Sequence, residues 1–304
     1  MINKVRGEKS GRGFVERSRT KIRLGLSLFL LPPLLTLVLL FLIPMALMIA
    51  YSFWSVDNNY QIVHSANLDQ YTKVLSTPIY LETLFDSVVM ALATTIFCVI
   101  IALPLAWFIS RSVSPQWRIL LIVGLILPGW ISLLIRTYSM TLVLGESGLA
   151  NWSLISVGVI GEPLEILFTK PAVVIGLVYI YLPYTVVPIY AAIEKLDGSV
   201  LEAAESLGAS AVRRLVKVVL PLIMPGIVAG CIITFIPALG EYLVPNLLGG
   251  LQGTMYGNLI ASAFKNFNWP LGSALSVILL IVILGSLAVL SRFADINKSL
   301  LAER

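Results

Sequence analysis

PAVVIGLVYIYLPYTVVPIYAAI, residues 171–193, contains no charged side chain. A helix of about 20 such residues spans the hydrocarbon core of a bilayer. Directly beyond it lies SVLEAAESLGASAVRRLVKVVLPLIMPG, residues 199–226, polar in its first part and apolar in its last. The first stretch sets the solvent as lipid. The second asks why a soluble-looking segment interrupts an oily chain.

Working outward, five more apolar runs of span length stand at Leu24–Phe53, Leu84–Ser110, Ile119–Gly145, Leu222–Leu248 and Leu271–Ser291. Hydrophobic residues make up 58% of the 304 and charged residues 12%, with a mean hydropathy of +0.93. The charged share is about half that of a soluble domain. Lipid leaves no stray backbone group satisfied, and the alternation of a barrel strand is absent, so the expectation is an all-α integral membrane protein with six transmembrane helices. The first run is longer than the apolar core of a signal peptide and is expected to remain as a span.

Lys and Arg distribute unevenly between the connecting segments. Residues 1–23, 111–118, 194–221 and 292–304 hold 17 of them, whereas 54–83, 146–170 and 249–270 hold three, Lys73, Lys170 and Lys265. That asymmetry places both termini and the 199–226 segment on the cytoplasmic side. It divides the chain into a basic cytoplasmic segment (1–23), a transmembrane domain (24–291) and a cytoplasmic tail (292–304). The net charge of +5 then reports topology, which argues against nucleic-acid binding.

Within the hairpin, Ser199 and Glu202 fit a capping box and Gly208 is placed to end a helix of about two turns. Val200, Ala203, Ala204 and Leu207 repeat at i, i+3, i+4, i+7 to give a small apolar face. A helix this short needs a docking surface. Ser210 is the candidate cap of a second helix whose apolar face is Val212, Leu215, Val216 and Val219, with Pro221 and Pro225 expected to mark the turn into the fifth span. An amphipathic connector resting on the membrane explains the same pattern.

Glu202-Ala203-Ala204, three residues, Gly208, nine residues, Val218, one residue, Leu220-Pro221 resembles the EAA loop of permease subunits of bacterial ABC importers, with Val for Ile at 218 as the one departure. The resemblance runs from the first span to the sixth. Residues 158–197 and 238–250 look most like the first permease subunit of spermidine/putrescine importers, while permeases for ferric iron, thiamine, opines and phosphonates share the scaffold. It implies the type I ABC importer permease fold in the bacterial inner membrane. It also implies a second permease subunit, two ATPase subunits and a periplasmic binding protein as partners, with ATP and magnesium used by the ATPase and no cofactor in this chain. Glu202, Ala203, Ala204, Gly208, Leu220 and Pro221, in the 199–220 hairpin, would carry the coupling to the ATPase.

The chain has no G-x4-G-K-[ST] phosphate loop, no visible nucleophile-base arrangement, and a lone His64. An ion-coupled carrier is the rival class, but buried acids for a relay are nearly absent. Glu241, in PALGEYLVPN, is the clearest acid within an apolar run, flanked by helix breakers Pro237, Gly240 and Pro245. It is read either as an ammonium site, aided by Tyr242 and Trp130 through cation–π contact, or as a salt bridge to Arg136. Tyr181 and Tyr184 share a helix face that lines a pathway or anchors an interface. Leu127-Pro128-Gly129-Trp130 is expected to kink the third span, Asp86 to be solvated near the interface, and Cys98 and Cys231 to be structural thiols.

Overall fold

Each uncharged run closes its backbone hydrogen bonds upon itself, and in a computed structural model the chain is accordingly built of long helices. The structure describes residues 31–57, 62–64 and 66–302, with side chains as far as Arg292. The basic segment 1–23 and residues 24–30 of the expected first span lie outside the described residues.

In chain order the helices are α1 (Leu31–Tyr51), α2 (Asp69–Ser76), α3 (Pro78–Arg111), α4 (Pro115–Ile126), α5 (Leu133–Leu144) and α6 (Leu149–Ser156). After these come α7 (Lys170–Glu194), α8 (Gly198–Ser206), α9 (Ala211–Leu239), α10 (Leu243–Leu248), α11 (Tyr256–Lys265) and α12 (Trp269–Ala302). A two-residue antiparallel ribbon, Ser55–Val56 with Ile62–Val63, follows α1.

Among the described residues, α1, α3, α7, α9 and the Trp269–Arg292 part of α12 are each long and apolar enough to span a membrane. The third expected span, Ile119–Gly145, is not one rod: Pro115–Trp130 and Leu133–Ser156 meet at 95°, so the count is five, or six if the bent pair is one span. Pro128 and Gly129 sit in a 3-10 turn, Leu127–Trp130, where a missing N–H and a missing Cβ weaken the α-ladder. The fifth expected span also ends early. α9 stops at Leu239, and Leu243–Leu248 forms a separate short helix.

The α3, α7 and α9 helices form the heart of the bundle, α12 and α11 close one side, and α1 packs on α12. Small residues allow the closest approach: a Cβ at Gly226 would lie 2.5 Å from the Ala192 Cβ and 2.7 Å from the Pro188 carbonyl oxygen. Nearby, the buried hydroxyls of Thr185 and Thr234 share a hydrogen bond between α7 and α9. Close backbones and interhelical hydroxyl bonds are the means by which helices associate in lipid, where burial alone gives little preference for a neighbour. Two apolar cores result. One gathers Leu177, Phe235, Leu239, Leu248, Tyr256 and Leu275, and the other gathers Ala106, Ile189, Ile193, Val219 and Ile223 beside the hairpin.

Candidate functional site

The hairpin is built by its caps. The N-cap of α8 is Asp197, not Ser199: its Oδ1 accepts from the Ser199 backbone N–H at 3.0 Å, and this bond holds the carboxyl below the usual carboxylate range. Two candidate cap side chains precede the apolar face, and the aspartate wins because it sits one residue before the first helical residue, Gly198. Gly208 ends the helix as expected, at φ +77°. Its N–H donates to the Glu205 carbonyl at 2.8 Å and that of Ala209 to the Ala204 carbonyl at 3.1 Å, the paired bonds of a Schellman ending.

Ser210 caps the next helix through the Arg213 N–H. No turn follows at Pro221 or Pro225; the helix continues into the membrane as α9, widening into a π turn at Leu215–Val219. A π turn relieves the clash between a proline ring and the carbonyls one turn back, which lets Pro221 stand inside a continuous rod.

The expected apolar face of α8 is left largely uncovered: Val200 is 42% exposed and Leu207 88%, Ala203 is exposed and Ala204 half-buried, and Glu202 and Gly208 are exposed beside them. On the second helix Val219 is buried while Val212, Leu215 and Val216 face outward. Leu220 and Pro221 are half-buried where α9 enters the bundle. An Arg214–Glu205 ion pair ties the two hairpin helices together.

At the root of α8 lies a polar cluster that the sequence reading did not single out. The Glu194 carboxylate accepts from Arg118 Nη1 at 2.8 Å and from the buried Ser110 hydroxyl at 2.9 Å, and Arg118 Nε donates to the Val113 carbonyl. Arg111 donates to the carbonyls of Ile193 and Leu196 at 3.2 and 3.0 Å while standing over the Trp107 ring. In the sequence, Arg111 and Arg118 bracket the short loop 111–118 and mark its side of the membrane, with nothing local to name their partners.

The second site forms at the breaks. Glu241 is 9% exposed. Its Oε1 accepts the N–H groups of Tyr242 and Leu243 at 3.1 and 3.0 Å, starting α10, and its Oε2 accepts the Tyr181 hydroxyl at 3.0 Å. The ion pairs among the described residues are Arg118–Glu194, Lys170–Asp86 and Arg214–Glu205; none joins Glu241 to Arg136. Arg136 is buried on α5, its Nε without a hydrogen-bond partner. Asp86 is therefore ion-paired with Lys170 rather than merely solvated. Tyr242 is half-exposed and Trp130 is 85% exposed.

Tyr181 and Tyr184 do share a face of α7, yet they reach different breaks. The Tyr184 hydroxyl packs against Gly129, at the break in the third span, as Tyr181 holds Glu241 at the break in the fifth. α7 thus touches both interruptions, and a side chain at Gly129 would collide with the Tyr184 hydroxyl at 2.7 Å.

The structure is thus a bundle of long apolar helices, two of them broken beside polar groups, with one span extended into an exposed, doubly capped hairpin. The chain belongs to the family of binding-protein-dependent transport system inner membrane components, which its residues 20–301 match. It is a multi-pass inner-membrane permease of that family. It is 42% identical to the spermidine/putrescine transport system permease protein PotB of Escherichia coli (strain K12) over 247 residues, 81% of this chain and 89% of that one. It is equally 42% identical to PotB of Haemophilus influenzae over 242 residues, 79% and 84% of the two chains. The inner membrane ABC transporter permease protein YdcU of Escherichia coli is 32% identical over 283 residues, 88% and 90%. In fold, a chain of a bacterial alginate ABC transporter crystallised with an alginate pentasaccharide-bound periplasmic protein superposes with a TM-score of 0.72 at 17% identity, covering 92% of this chain and 98% of that one.

Proposed function

We propose that this chain forms half of the translocation pathway of an ATP-driven importer for polyamines such as spermidine and putrescine. It crosses the membrane six times with both termini in the cytoplasm, the bent pair α4–α6 supplying the third crossing. A second permease subunit completes the pore, two cytoplasmic ATPases hydrolyse ATP with magnesium, and a periplasmic binding protein delivers cargo. This chain performs no chemistry.

The observation that carries the reading is the uncovered apolar face of α8 on a hairpin continuous with a span. Glu202, Ala203, Ala204 and Gly208 dock in a cleft of the ATPase. Closure of the ATPases pushes α8, and α9 conveys the push through Leu220 and Pro221 into the bundle.

Glu241 serves a cationic cargo from a break where two backbone N–H groups and the Tyr181 hydroxyl hold its carboxyl group in place. Three of the about four acceptor directions of its carboxylate are taken, leaving one for an ammonium group. Tyr242 lends an aromatic face, and Trp130, Tyr184 and Arg136 border the neighbouring break. Replacement of Glu202 or Gly208 by bulky residues tests the coupling: ATPase co-purification and uptake both fall, and wild-type values of both would sink it. A transport panel of spermidine, putrescine, ferric iron and thiamine tests the cargo, and preference for a non-amine would refute polyamine transport.

A further inference from the structure

α8 is held to the bundle at two roots of different kinds. Its C-terminal root is the tight Leu207–Ser210 turn, closed by the Gly208 and Ala209 N–H bonds and braced against the start of α9 by the Arg214–Glu205 ion pair. Its N-terminal root is a three-residue link, Lys195 to Asp197, which has no helix of its own. Without a second attachment, movement of α8 would reach α9 and be lost before α7, α3 and α4.

The Glu194 cluster is that attachment. A carboxylate at the last residue of α7 faces the negative end of the helix dipole and is disfavoured there. Arg118 of α4 and Ser110 of α3 hold both its oxygens, 2.8 and 2.9 Å away. Arg111 of α3 satisfies the terminal α7 carbonyl of Ile193 and also that of Leu196, one residue before the α8 cap. Three helix ends and the link are thereby joined by charge-assisted bonds, the stronger and more directional kind. The Arg118 and Glu194 side chains are only 21% and 41% exposed, so screening is partial.

We propose that Arg118, Glu194 and Arg111 are positioning residues that bind the N-terminal root of the coupling helix to α3, α4 and α7, so that a push on α8 moves these helices together with α9. The proposal rests on the permease reading above, though not on the identity of the cargo.

The test uses the whole importer, with second permease, ATPases and binding protein, in proteoliposomes, comparing Arg118→Glu, Glu194→Arg and the double reversal. The readout is ATP hydrolysed per molecule imported. Each single reversal is expected to raise this ratio at least about fivefold while the ATPases still co-purify, and the double reversal to bring it back within about twofold. Arg118→Lys, which keeps the charge and loses the fork, gives an intermediate ratio and serves if a reversal prevents assembly. A wild-type ratio in both single reversals, an unrescued double reversal in an assembled complex, or a wild-type ratio in Arg118→Lys would overturn the proposal. Failure of the unaltered chain to retain ATPases would instead refute the permease reading, while a different cargo would leave the ratio measurable with that cargo.

Discussion

The hairpin and the Glu241 break are both interruptions of apolar helices, and they treat their exposed chemistry in opposite ways. The hairpin satisfies its polar backbone ends through Asp197, Gly208 and Ser210 and leaves apolar side chains bare. The break buries its carboxyl group and surrounds it with donors from Tyr181 and two backbone groups. Apolar surface left in water asks for a protein partner, whereas a carboxylate kept inside an oily bundle asks for a cation or a donor. One region leaves apolar surface open. The other satisfies its carboxyl group from within the bundle.

The largest effect should come from joining what both regions depend on, the α7–α9 contact. Gly226→Leu drives a side chain into Ala192 and the Pro188 carbonyl, and overpacking of this kind costs about 1–3 kcal/mol. Thermal stability of the purified permease complex should drop and both functions should be lost together; an unchanged melting temperature would show the crossing to be looser than described.

The two regions separate with Glu241→Gln. A Gln oxygen still accepts from Tyr242, Leu243 or Tyr181, so folding and ATPase binding are expected to persist while uptake of a polyamine falls by about tenfold, equivalent to roughly 1.4 kcal/mol. Equal uptake by the variant would leave Glu241 as a helix cap and nothing more. Tyr181→Phe removes one of the three hydrogen bonds to the Glu241 carboxyl group and should reduce uptake less, by about two- to fivefold, with a wild-type amount of co-purified ATPase.

The smallest effect belongs to the cap. The Asp197 carboxyl is depressed by the Ser199 N–H, so its contribution to α8 is present above the unfolded carboxyl range and is lost as the pH falls through the lower folded value. Amide exchange at Ser199 and Val200, corrected for its intrinsic pH dependence, should quicken on acidification in the wild type and already be quick in Asp197→Ala. Equal protection in the two chains at neutral pH would assign the cap elsewhere.

Spans and hairpin were legible because they obey local rules. A run without charge has one good structure in lipid, and Gly208 has a conformation that other residues avoid. Gly208 and the Ser210 cap stand where the sequence places them, while Ser199 with Glu202 spells a capping box that the chain does not use, the cap being Asp197. The breaks were legible as weakness and not as geometry. Pro128-Gly129 announced a kink but not a 95° turn, and Pro221 announced a turn where a π-widened helix runs straight through. Glu241 stood out as an intramembrane acid, yet its partner Tyr181 lies 60 residues away. The Glu194 cluster was hidden for the same reason: its bonds span 76 to 85 positions, and nothing local marks one arginine of a basic loop as a tie.

The π turn at Leu215–Val219 also fixes the hairpin as a matter of phase. It admits an additional residue between the hairpin and the part of α9 that enters the bundle, and each residue of a helix advances the azimuth by about 100°. Loss of one residue there would turn the docking face about a quarter of the way around the helix axis while leaving every side chain chemically intact. The length of this segment is therefore as much a part of the proposed coupling as its composition: a conservative substitution would alter the contact surface of α8, whereas a one-residue deletion would alter the direction that surface faces.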